Sequence, residues 1–181
     1  PEPAPRSPAL APADPLPIAA AALASVRTAL AADLDNLRFA HLAAGLKDSY
    51  GGGRRALRAS LAAADADDET FHAWRKRAKD LWYQCQLLQG ACPPLLGALE
   101  SMLDALGEHL GDDHDLAVLQ AAAGTSSEAS DALRPRIAAR HAELRDAAWR
   151  LGQRIYAERP QAFVRRIRAY WRTWRAEAAT P

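Results

Sequence analysis

The chain has 181 residues, 49% of them hydrophobic, which suffices for one domain with a real core, or for a domain plus an arm. A net charge of +1 argues against a generic nucleic-acid binder, two cysteines are too few for a disulfide framework, and no apolar run approaches the roughly 18 residues that span a bilayer. Charge is nonetheless segregated: residues 1–133 carry 11 Lys and Arg against 18 Asp and Glu, whereas residues 134–181 carry 12 Arg against 4 acids.

Seven of the twelve prolines fall within residues 1–17, a Pro/Ala-rich stretch that reads as a disordered arm or linker. From Ile18 onward Ala, Leu, Arg and Asp recur with helical periodicity and almost no β-branched clusters, so residues 18–181 read as one all-α domain. Breaks predict helices over 18–44, ending near Gly45; over 46–64, ending at the acidic turn Asp65–Asp68; and over 69–90, ending at Gly90. Pro93 and Pro94 open a fourth helix that reaches Leu110, and Asp112 is a candidate N-cap for a fifth. A Gly/Ser/Thr loop over 124–127 precedes a helix over 128–157, and a last helix follows Pro160. Connections this short favour antiparallel neighbours, so the expected architecture is an antiparallel bundle of about six to seven helices. Cys85 and Cys92 match no metal-binding spacing and read as ordinary helix residues in a reducing, cytoplasmic compartment.

The most informative stretch runs from Phe71 to Gln86. At about 100° per residue from His72, Lys76, Lys79, Tyr83, Gln86 and Arg75 fall within one face about 100° wide, while Trp74, Ala78, Leu81, Cys85 and Leu88 gather opposite. An ordinary surface helix interleaves Glu with Lys to gain pairs one turn apart; a face of unmixed positive charge repels itself and calls for an anion. The same face is also compatible with simple solvation.

The preceding helix adds Tyr50, Arg54, Arg55 and Arg58, and if it packs antiparallel to the first basic helix the two would line a shared cationic groove. Gly51–Gly53 interrupt it at about 1 kcal/mol each relative to Ala, either for close helix approach or to expose backbone N–H groups to an anion; the phosphate-loop frame is absent. The run from Glu108 to Asp115 combines His109 and His114 with Asp112, Asp113 and Asp115, which suits a helix start, a contribution of His114 to the anion site, or a metal-dependent phosphohydrolase. His41 and His141 read as structural. The C-terminal helices mix arginines with Trp149, Tyr156, Tyr170, Trp171 and Trp174, either as amphipathic packing or as a second basic surface for nucleic acid or protein.

His72-x-x-Arg75-Lys76-x-x-Lys79-x-x-Trp82-Tyr83, followed by Leu110-Gly-Asp-Asp-His-Asp-Leu116 and preceded by Tyr50-Gly-Gly-Gly-Arg54-Arg55, resembles the CHAD family, the conserved-histidine α-helical domains, over about residues 46–120. The resemblance implies a helical fold of two pseudo-symmetric halves around a basic pore that binds inorganic polyphosphate, as a non-catalytic module on polyphosphate granules without a cofactor. On the matching positions it implies anion contacts from His72, Arg75, Lys76, Lys79, Tyr83, Tyr50, Arg54 and Arg55, to which the helix reading adds Arg58 and His114. The chain shows the motif of one half, which looks like the C-terminal one, so an N-terminal half is missing, or two chains associate, or this is a short variant. Neither a membrane nor nucleic acid is an expected partner.

Overall fold

The computed structural model describes residues 39–62, 68–122 and 128–179. Each helix follows from a short-range pattern. In α1 (Phe39–Ala62), Leu46, Tyr50, Gly53, Leu57 and Ser60 recur every three or four residues and are all buried. In α2 (Asp68–Leu88), Asp68 and Glu69 place negative charge in the first turn, where the backbone dipole favours it, and Phe71, Trp74, Ala78, Leu81, Cys85 and Leu88 form the buried stripe. A single 3-10 turn, Gln89–Ala91, leads to Pro93, which opens α3 (Pro93–Ala122); there the amides of Leu95 and Leu96 donate to the Cys92 carbonyl at 3.2 and 2.9 Å. α4 spans Glu128–Ile155. α5 (Pro160–Ala178) starts with proline at its first position, where the missing N–H leaves no donor unpaired.

The described residues form one compact unit. α2 lies between α1 and α3, α4 packs against α3, and α5 closes on α1 and the 3-10 turn. Trp74, Tyr50, Leu46, Leu81, Leu103, Leu106, Phe163 and Ile167 fill the core between them. Tyr50 stacks on Phe163 at 4.2 Å between ring centroids and meets Tyr156 edge-on at 5.3 Å. Two glycines admit aromatic rings: a Cβ at Gly53 would fall on the Tyr156 hydroxyl, and one at Gly152 would fall on the Trp74 ring. Of the two roles open to the Gly51–Gly53 run, close approach is the one present: the Tyr156 and Arg77 side chains pack against Gly53 and Gly52, at a helix-propensity cost of about 1 kcal/mol per glycine.

The all-α class agrees with the sequence, but the described residues hold five α-helices rather than six to seven. The expected stop near Gly45 does not exist, because α1 runs from Phe39 through Gly45 and the glycine triplet. Nor does a helix begin at Asp112. α3 continues through it, with Gly111 under the Arg75 guanidinium and the adjacent Asp113 buried and paired with Arg145. Residues 1–17, read as an arm, and most of the helix predicted over 18–44 lie outside the described residues. Among the described residues no helix is long and apolar enough to cross a membrane.

Candidate anion-binding site

The stripe of Trp74, Ala78, Leu81 and Cys85 fixes the rotation of α2, and its opposite face therefore points outward. His72, Lys76 and Lys79 are exposed, Tyr83 keeps 59% of its surface, and Arg75 is half-buried at the edge that meets α3. Along that edge a cleft of about 350 Å³ opens between the helices. Arg75, Lys79, Trp82 and Tyr83 form its α2 wall, and Asp104, Glu108, Asp112 and Asp115 stand on its α3 wall.

Glycines make the room. A Cβ at Gly107 would meet nothing within 4 Å, and one at Gly111 would sit 3.4 Å from an Arg75 terminal nitrogen, so the guanidinium lies over bare backbone. Arg75 Nε and Trp82 Nε1 are buried without a hydrogen-bond partner. Both are donors, and each costs about 1–3 kcal/mol until something accepts from it. Beyond Arg75, His114 of α3 meets His72, with the rings 5.4 Å apart and tilted by 43°.

The structure thus gathers His72, Arg75, Lys79, Tyr83 and His114 along one seam, with Lys76 exposed on the same front of α2. It does not bring Tyr50, Arg54, Arg55 or Arg58 to that seam. The shared cationic groove expected between α1 and α2 is not formed, because the flank of α2 that α1 covers carries Arg77 and Gln84 instead of the basic front. Arg77 pairs with Asp48 at 3.0 Å, Gln84 Nε2 donates to the Ser49 hydroxyl at 2.9 Å, and Gly52 lies under the Arg77 side chain. Tyr50 is fully buried; its hydroxyl donates to the Ile155 carbonyl at 3.0 Å and accepts from the Glu158 amide at 3.1 Å. Burial pushes its pKa up to about 12, so it stays neutral as a core residue with no face for an anion. Arg54 Nε donates to the Tyr156 carbonyl at 3.2 Å, and Arg55 reaches toward Gly51 and Pro160, on the flank of α1 nearer α5. Arg58 is exposed one turn beyond Arg54.

The Asp112–Asp113 pair divides its work. Asp112 is exposed on the cleft, whereas Asp113 is 2% exposed beneath it and accepts from Arg145 Nε at 2.9 Å, with His141 Nδ1 at 2.6 Å. Arg145 also reaches Asp68 at 2.9 Å and covers the Phe71 ring at 4.3 Å, so this one cluster ties the start of α2 to α3 and α4. His141 is structural, as its sequence context suggests, with Asp113 as its partner. Among the described residues no three His, Cys, Asp or Glu side chains converge as metal ligands would. Asp104 and Trp82 are not among the site residues expected from the sequence; the spacing of Asp104, Glu108 and Asp112, one turn apart on a helix, is the signal for an acidic wall.

A family model described as CHAD domain matches residues 9–124, more than half of the chain. The chain belongs to the CHAD domain family. The matched span includes α1, α2 and α3, and therefore the whole seam between the basic front and the acidic wall. No curated protein and no solved structure gives a significant match.

Proposed function

We propose that this CHAD domain binds inorganic polyphosphate along the front of α2, as a non-catalytic module that places its carrier on polyphosphate granules in the cytoplasm. The observation that carries the reading is the state of the donors. His72, Lys76 and Lys79 share an exposed face without an intervening acid, and Arg75 Nε and Trp82 Nε1 beside them are buried and unpartnered. A chain of phosphates supplies acceptors at short, regular intervals, and cationic side chains bind them through charge-assisted hydrogen bonds and counterion release. Tyr83, T-shaped on Trp82 at 4.9 Å, adds a hydroxyl at the end of the row.

The acidic wall of α3 shapes this reading. Asp104, Glu108, Asp112 and Asp115 repel a polyanion that enters the cleft, so the chain lies on the α2 side, over His72, Lys76 and Lys79, with Arg75 reaching it from the cleft rim. Calorimetric titration of long-chain polyphosphate at two salt concentrations, with single-stranded nucleic acid of equal charge beside it, tests the proposal. Tight binding that weakens steeply with salt, exceeds that of nucleic acid and falls about tenfold in Lys79→Glu is the expected result. Equal binding of both polymers, or a Lys79→Glu variant that binds as well as the parent, sinks it.

A further inference from the structure

The seam between α1 and α5, on the other side of α1 from α2, holds a trough of about 480 Å³ that the polyphosphate reading does not use. Its α1 wall is Ala40, Ala43, Ala44 and Lys47, and its α5 wall is Gln161, Val164, Arg165 and Arg168. On each helix these residues recur at spacings of three and four, so each wall is one continuous face about two turns long. The floor is methyl groups. Lys47 rises from one rim and Arg165 and Arg168 from the other, and Arg172 extends the α5 row one turn further as an exposed residue. Among the described residues no carboxylate lines the trough. The nearby acids are engaged elsewhere: Glu158 holds Arg166, and Asp48 holds Arg77. Among the described residues Lys47, Arg165 and Arg168 have no ion-pair partner; Arg168 only caps the Phe39 ring at 5.3 Å.

We propose that this trough docks an acidic amphipathic helix of a partner protein. A floor of alanines lets a third helix approach closely, and its apolar stripe would cover Ala43 and Val164 while Glu or Asp on both flanks meet the cationic rims. The two-sided arrangement of charge around an apolar floor is what separates this occupant from a phosphate polymer. Phosphate oxygens gain nothing from methyl groups and lose water against them, whereas a helix with leucines inside and carboxylates at its edges satisfies floor and rims together. The inference is independent of the polyphosphate reading, because none of the trough residues lines the α2–α3 cleft.

The test selects binders from a display library of 20-residue helical peptides against the intact chain, with Ala44→Trp as counter-target, and then measures the selected peptide by fluorescence anisotropy. Ala44 is exposed, so the added indole fills the trough without entering the core, and an unchanged melting curve verifies this. The expected peptides carry an apolar stripe flanked by Glu and Asp. Their affinity falls at least about tenfold in Ala44→Trp and about tenfold in the double variant Arg165→Glu, Arg168→Glu, while polyphosphate affinity of Ala44→Trp is unchanged. Four outcomes overturn the proposal: no peptides enriched over the counter-target, enriched peptides without acidic flanks, displacement of the peptide by polyphosphate, or a dimer of the parent chain that Ala44→Trp abolishes. The third would assign the trough to the phosphate polymer and the fourth to a second copy of this chain.

Discussion

The cleft between α2 and α3 and the trough between α1 and α5 both present cations, but what faces those cations differs. In the cleft, Arg75 and Lys79 look across at four carboxylates with which they form no ion pair, and two buried donors stay unpartnered. In the trough, Lys47, Arg165 and Arg168 look across alanines and meet no acid among the described residues. Net charge per helix would rank the arginine-rich C-terminal helix first, with five Arg against one Glu. Unpartnered donors and exposed cations on a polar wall ask for an acceptor-rich chain, whereas cations around an apolar floor ask for a ligand that is itself amphipathic.

The contrast predicts that the two regions respond differently to mutation, and the largest effect belongs to the support beneath the cleft. Asp113 is a buried carboxylate held by Arg145 and His141, so Asp113→Ala leaves Arg145 partly buried without that charge and costs about 3–5 kcal/mol in a denaturant titration. Ala44→Trp at the trough, by comparison, changes stability by less than about 0.5 kcal/mol. A loss below about 1 kcal/mol in Asp113→Ala would mean that α3 is held to α4 by apolar packing alone. Next in size is charge reversal. Lys79→Glu lowers polyphosphate affinity by about tenfold with helix content unchanged, while Arg165→Glu lowers it by less than about twofold. Comparable losses in calorimetry would merge the two basic regions into one site.

The parts legible in the sequence were those governed by short-range periodicity. The rotation of α2 follows from its own apolar stripe, so His72, Arg75, Lys76, Lys79 and Tyr83 could be placed on one face before any neighbour was known. The glycine triplet left close approach and an anion at its N–H groups both open, and Tyr156 and Arg77 fill the space. What failed was the choice of neighbour. Nothing local says that α1 covers Arg77 and Gln84, so the cationic groove that the arginines of α1 suggest does not form there. The break expected at Gly111–Asp112 failed for the same reason: the partners that hold Asp113 inside a continuous helix are 28 and 32 residues away. A carboxylate that looks like a cap by its immediate context was fixed by contacts that only the tertiary fold supplies.

The acidic wall gives a smaller effect of opposite sign. Asp104→Asn with Asp112→Asn removes two negative charges from the cleft while preserving side-chain size, so polyphosphate affinity rises about threefold at low salt and the gain shrinks as salt is added. No change in calorimetry would place the polymer beyond the reach of α3.

The smallest expected effect is that of pH, and its sign follows from the two imidazoles. His72 and His114 meet 5.4 Å apart, beside Arg75 and Lys76 on α2 and Asp115 on α3. A polyanion across them favours the protonated form, so binding takes up protons and affinity rises as pH falls from 8 to 6, by about two- to threefold. His72→Gln flattens the profile if this imidazole touches the polymer, and His114→Gln flattens it if the contact extends across the seam. A profile that is flat in the parent chain removes His72 from the site and confines the contact to Arg75, Lys76 and Lys79. A profile that only His114→Gln flattens moves the polymer off the α2 crest and into the cleft, against the acidic wall.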